Sequence, residues 1–248
     1  MDRAPAAAAA IAGVMLGAAP VIELAGTARG DTDNAADGLR FLDESAYRYG
    51  LAGFALVVCG TALIVAALGF AQAVARRGDL GLGLLTVTTL AVIAGASYLF
   101  AGIIRHTSHG TIGYIAETDR GWAESAYLGT HMIGTQALLP MANHLVAAWL
   151  VGIAVLLHRA GRRRLALVGV LPALLLVLFV VDALVPVAED SAISGTLWIG
   201  YILTMLVAQP LSLVVLGLAA WRAGARWLDG TPSPRAVSGP GASTPPTG

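Results

Sequence analysis

Residues 124–158 read ESAYLGTHMIGTQALLPMANHLVAAWLVGIAVLLH. The stretch opens polar, turns apolar at Ala137, and keeps Asn143 and His144 inside its apolar part. No other part of the chain sets an ionisable ring beside an amide within a membrane-length run. Crossing a hydrocarbon core of about 30 Å takes roughly 20 helical residues, and 137–157 supplies them.

Outward from that run, five more have the same character, near residues 6–25, 51–75, 82–104, 165–185 and 196–218. Of the 248 residues 57% are hydrophobic and 12% charged, about half the charged share of a soluble domain. The apolar residues come in unbroken blocks rather than at amphipathic spacing, so the surface they build faces lipid. The expectation is an all-α integral membrane protein, a bundle of six transmembrane helices over residues 1–228. The Pro-, Gly-, Ser- and Thr-rich stretch 229–248 buries too little apolar surface to fold and reads as a disordered cytoplasmic tail.

The first run is the weakest: it is mostly alanine, with Pro20 and Glu23 near its end. A signal peptide would want a basic amino end, but Asp2 offsets Arg3, and Pro20 follows the Ala-Ala pair where cleavage would fall. It is read as a retained span, with Gly13 and Gly17 as a small-xxx-small contact pair.

Arginine sets the threading. Arg3, Arg76, Arg77, Arg159, Arg162, Arg163, Arg164, Arg222, Arg226 and Arg235 fall on one side of the six runs. Arg29, Arg40, Arg48, Arg105 and Arg120 fall on the other, among an excess of acids. By the positive-inside rule both termini are cytoplasmic, and the protein lies in the cytoplasmic (plasma) membrane. Every basic residue is Arg; without Lys a retinal Schiff base is excluded. The lone Cys59 excludes a disulfide framework and a thiolate metal site.

The outer loops are acidic. Asp31, Asp33 and Asp37 mimic a calcium loop, but Ala36 and Leu42 stand where glycine and glutamate are required, so a solvated loop over 27–46 is expected. An acid-Ser-Ala echo recurs at Glu44-Ser45-Ala46, Glu124-Ser125-Ala126 and Asp190-Ser191-Ala192. It reads as a serine-capped helix start, giving spans two, four and six early beginnings, shorter odd spans and three helical hairpins. A second outer loop is expected to begin near Arg105, with His106 and His109, and to run through Trp122. Tyr114, Trp122, Tyr127, Trp198 and Tyr201 mark one interface, Trp221 and Trp227 the other.

Polar groups at membrane depth are the functional candidates, because a central charge costs about 2.5–3.5 kcal/mol by insertion scales. Counted by helical rise, Glu23 and Asp182 lie ~3–5 Å deep, His144 ~10 Å and Gln209 ~18 Å. Gln136, Pro140, Asn143 and His144 are spaced to share a face. Asp182 on the neighbouring span can reach His144, and with Gln209 these sketch a polar pocket in the outer half of the bundle. The same side chains serve equally well as hydrogen bonds between helices. An Asp182–His144 pair would carry a pH-dependent step between about pH 5 and 7. His106, His109 and His131 with nearby acids are a candidate zinc or copper set, though at no recognised spacing.

HExxH, Walker and desaturase-type histidine motifs are absent. No catalytic residue and no cofactor is assigned, and nothing calls for nucleic acid. The leading expectation is a non-enzymatic transport or binding protein for a small molecule or lipid. The alternatives are a metal- or haem-dependent membrane enzyme and a structural subunit of a membrane complex.

Overall fold

A computed structural model describes residues 3–24, 34–75, 81–159, 161–174, 177 and 203–223, and no strand occurs among them. The main helices are α1 (Arg3–Leu24), α2 (Ala35–Ala75), α3 (Leu82–Thr118), α4 (Arg120–His131), α5 (Leu139–Arg159), α6 (Arg163–Ala166) and α7 (Gln209–Ala223). A π-helix, Met132–Leu138, joins α4 to α5; a second, Thr204–Ala208, leads into α7. Among the described residues, five continuous segments are long and apolar enough to cross a membrane: Arg3–Glu23, Ala35–Ala75, Leu82–Thr118, Arg120–Arg159 and Leu206–Ala223. Large apolar side chains are exposed on each of them, among them Val14, Phe54, Phe100, Met141 and Leu211. Such an exterior is a liability in water and a requirement in lipid, and it fits a multi-pass membrane protein. Of the expected runs, 165–185 lies largely outside the described residues, as does the tail 229–248.

Neighbouring helices are antiparallel and meet at small residues. On α2 and α3, Gly60 faces the Gly95 carbonyl, and Gly53 faces Gly102, whose Cβ would lie 2.5 Å from the Gly53 carbonyl oxygen. Both pairs are seven residues apart, so the two backbones touch along a heptad stripe, as small residues allow in membrane helices. The expected contact at Gly13 and Gly17 also forms: both glycines lie against Pro210 of α7, and Gly217 meets Ala6 and Ala10. α1 therefore runs between α2 and α7. α5 lies antiparallel to α3, with Gly152 against Val87. α5 ends in a Schellman turn: Gly161 takes φ 75°, its N–H donates to His158 O, and Arg162 N–H donates to Leu157 O. The chain then doubles back, placing Gly169 against Leu150 and Ala154.

Two apolar cores result. The larger gathers Ala9, Leu63, Tyr98, Trp149 and Leu213 from α1, α2, α3, α5 and α7. The smaller holds Leu39, Phe41, Leu42, Tyr49, Ile112, Ala123 and Tyr127. It exists because α2 and α3, with 41 and 37 residues, are about 60 and 55 Å long and outrun a 30 Å core. Their excess lies at the end of the bundle where α1 stops at Leu24, and α4 packs across it.

Several expectations about that end need correction. The loop expected over 27–46 is helical from Ala35; residues 25–33 lie outside the described set. Its helix is capped by Asn34, whose side-chain oxygen accepts from Ala36 N–H at 3.0 Å. Ser45 is an interior bend at φ −129°, ψ 16°, not a start. Likewise Asp119 caps α4 by accepting from Trp122 N–H at 3.0 Å, while Ser125 sits inside the helix and bonds back to Gly121 O. Asx side chains upstream took the capping role, so the serines had no free N–H groups left to bind. Ser191 lies outside the described residues. The second outer loop is mostly helix, since α3 continues through His106 and His109 to Thr118 and at 37 residues comes close to the 41 of α2. Tyr127 is core rather than interfacial, packed so tightly on Gly38 that no side chain fits there. Trp122 and Tyr114 are exposed, as an interfacial role requires.

Both π-helices end two residues before a proline, Pro140 and Pro210. A proline ring clashes with the carbonyl four residues back and offers no N–H. Widening the preceding turn relieves both problems.

Candidate functional site

A polar layer separates the two cores. At its centre is Arg105, on the face of α3 that Gly53 of α2 leaves open: a Cβ at position 53 would stand 2.9 Å from Arg105 Cβ. Its guanidinium is held by three elements. Nη1–H donates to Glu23 Oε2 at 2.7 Å, from the last turn of α1. Nη2–H donates to Thr135 Oγ1 at 2.9 Å, from the π-helix. The Tyr49 ring of α2 lies 5.2 Å from the guanidinium carbon, within cation–π range. The Arg105 side chain is 5% exposed and that of Glu23 29%. The pair is thus sealed from within and open from the Glu23 side.

The donors are not all used. Among the described residues, Arg105 Nε, Ser108 Oγ and His109 Nδ1 are buried without a hydrogen-bond partner. All three fall within five consecutive residues of α3, and Ser108 is one turn beyond Arg105 on the same face. Buried polar atoms are nearly always satisfied, so three such atoms within five residues call for an explanation.

The candidates within residues 136–144 are dispersed by comparison. Asn143 is fully buried and accepts from the Tyr98 hydroxyl on α3 at 2.5 Å through Oδ1. Its backbone carbonyl accepts from Gln209 Nε2–H of α7 at 2.8 Å. This is a staple across three helices rather than an open pocket; Gln209 Oε1 is buried without a partner among the described residues. His144 is half-buried and donates from Nδ1 to its own Pro140 carbonyl at 2.6 Å. Gln136 is exposed and does not share the Asn143 face. The π-helix explains this: its extra residue rotates the turns before it by about 100° relative to the turns after it. Asp182 lies outside the described residues.

The expected metal histidines are only partly brought together. His106 and His109 are neighbours on α3 with ring centroids 6.0 Å apart, and His106 Nδ1–H donates to Gly50 O at 2.9 Å. His131 belongs elsewhere, stacked on Tyr127 at 5.4 Å in the wall of the smaller core. Among the described residues no group of three or more His, Cys, Asp or Glu side chains converges as a metal site would.

Sequence reasoning placed Glu23 at the edge of the membrane and Arg105 at a loop, and so missed their pairing. A signal was present: there is no proline between Pro20 and Pro140, so nothing obliges α3 to stop before Arg105. No known family model, curated protein or solved structure matches this chain.

Proposed function

We propose that this protein is a non-enzymatic, six-span membrane protein that binds a small molecule or lipid in the outer half of its bundle, at the Arg105 layer. The observation that carries the reading is the run of three buried, unmatched polar atoms on residues 105–109, one of them on the guanidinium that pairs with a partly exposed carboxylate. A purely structural ion pair gains nothing from leaving neighbouring polar atoms unpaired, whereas a binding site needs such atoms.

The threading has its own support. α5 and α7 are each antiparallel to a helix that runs parallel to α1, or to α1 itself, so they point the same way. The chain between them must return along the bundle once, which supports a further span near 165–185 and a total of six. The turn at Gly161 begins that return. Arg3, Arg159, Arg162, Arg163, Arg164 and Arg222 gather at one end, where Arg3 lies 5.3 Å over the Trp221 ring. That end is read as cytoplasmic, in the plasma membrane, and the Glu23 end as external.

Native mass spectrometry of protein extracted in its own lipid tests the binding reading. Wild type should retain a non-covalent molecule that the double variant Arg105→Met, Glu23→Gln loses while remaining helical and monodisperse. A wild-type protein that carries nothing, or equal retention by the variant, overturns it. For the threading, Thr118→Cys should react with an impermeant thiol reagent on intact cells. Reaction only after lysis would invert the topology.

A further inference from the structure

We infer that the group bound at this layer is an oxyanion, a phosphate or carboxylate at the membrane surface, and that Glu23 is its exchangeable internal stand-in. The inference rests on the binding reading above and names the ligand's chemistry. The donor set points to it. A guanidinium presents a planar fork that matches two oxygens of one anion. Here Glu23 takes Nη1 with one oxygen, and Nε, on the edge it shares with Nη2, is left unmatched. One hydroxyl touches the guanidinium, Thr135 at 2.9 Å from Nη2, and a second, Ser108, lies one turn further along α3 without a partner among the described residues. Every one of these groups can donate, and among the described residues just one acid, the Glu23 carboxylate, is in contact with Arg105.

Glu23 is also suited to leave. It is the single acid of α1, it stands one residue from that helix's end, and it is the more exposed partner of the pair. Arg105 by contrast is fixed in mid-helix under the Tyr49 ring. A carboxylate already seated there shows that the cradle accepts a planar oxyanion. When an external oxyanion takes the fork, Glu23 turns outward to water.

The position fits two sources of the same chemistry. α1 is 22 residues, about 33 Å, so its end at Glu23 stands at the depth where lipid headgroups begin. A headgroup phosphate reaches it from the bilayer and a soluble anion from outside.

Thermal unfolding in phosphatidylcholine nanodiscs separates the possibilities. Glu23→Gln removes the internal competitor, so its melting temperature should fall in phosphatidylcholine alone and recover when an oxyanion is supplied. Its apparent affinity should exceed that of wild type by about tenfold, the worth of one displaced charge-assisted bond. Recovery with phosphatidylglycerol in the disc assigns a lipid headgroup; recovery with inorganic phosphate or octanoate in solution assigns a free anion. No recovery with any of them overturns the inference, as does a response that survives in the double variant Glu23→Gln, Arg105→Gln. If Glu23→Gln does not fold, wild type and Thr135→Val are titrated with the same probes. A stabilising shift in wild type that weakens in Thr135→Val upholds the oxyanion, and a flat wild-type response removes it. A retained molecule without an acid group would sink the oxyanion and leave the binding site standing. An empty, unresponsive wild type sinks both.

Discussion

Two polar layers sit seven residues apart on the same stripe of α3, about 10 Å from one another along the helix. At Tyr98 the layer is neutral: hydroxyl, amide and carbonyl join α3, α5 and α7, and one amide oxygen is left over. At Arg105 it is charged, joins α1, α2, α3 and the π-helix, and among the described residues leaves Nε unmatched, along with Ser108 Oγ and His109 Nδ1 on the next turn of α3. Depth accounts for the contrast. The neutral layer lies within the larger core, where leftover polarity costs most and uncharged partners are easiest to bury. The charged layer lies where that core ends, so a carboxylate still reaches water while its partner does not. The difference separates a layer that joins helices from the one proposed to hold a ligand.

The sharpest way to break this comparison is to remove one charge. Glu23→Ala strands the buried Arg105 guanidinium and should cost about 3–5 kcal/mol in denaturant unfolding, whereas replacing both partners with Met and Gln should restore most of the loss. A single variant no worse than the double would mean that the pair is wet and that burial carries none of the argument. Next in size is the seam on which both layers are mounted. Gly95→Val drives two methyls into the α2 backbone and should cost about 1–3 kcal/mol. Gly113, on the same helix but with open space around it, should instead gain up to about 1 kcal/mol as Gly113→Ala. Smaller again is the neutral layer: Asn143→Leu should cost on the order of 1 kcal/mol, the usual worth of a bond between membrane helices. It should also leave ligand retention unchanged. Loss of the retained molecule in Asn143→Leu would shift the site to the Tyr98 layer and reverse the roles of the two layers.

The membrane-crossing character was legible because it depends on residue totals and run lengths, which tertiary contacts do not alter. Helix pairing was legible in places: Gly13 and Gly17 do mark a helix contact, since close approach has a one-letter signature. The smaller core was hidden because its parts come from three distant segments, each too polar to be taken for a span. Leu39, Phe41 and Leu42 sit among acids and arginines that face outward, and their burial depends on Ile112 and Tyr127, far along the chain. The candidate site was hidden for the same reason. Residues 105–109 read as a loop when helices are cut to the thickness of the bilayer, and a loop arginine invites no partner. The π-helix hid the rest: a face counted at 3.6 residues per turn puts Gln136 beside Asn143, and one extra residue at Met132–Leu138 parts them.

The smallest expected effect is also the cleanest control on the comparison. Arg120 and Glu124 form an ion pair of the same chemistry as Arg105 and Glu23, with Nε 3.3 Å from Oε1 at a four-residue spacing on α4. The Arg120 side chain is 65% exposed. Water already solvates that guanidinium, so losing its partner costs little Coulomb energy and strands no buried charge. Glu124→Ala should therefore change unfolding stability by less than about 0.5 kcal/mol and leave oxyanion binding untouched, while Glu23→Ala carries the larger cost of an unpaired buried guanidinium. If the two alanine variants were equally destabilised, depth would not be what distinguishes the two pairs. The stability of Arg105 would then reduce to arginine–glutamate attraction anywhere on the protein.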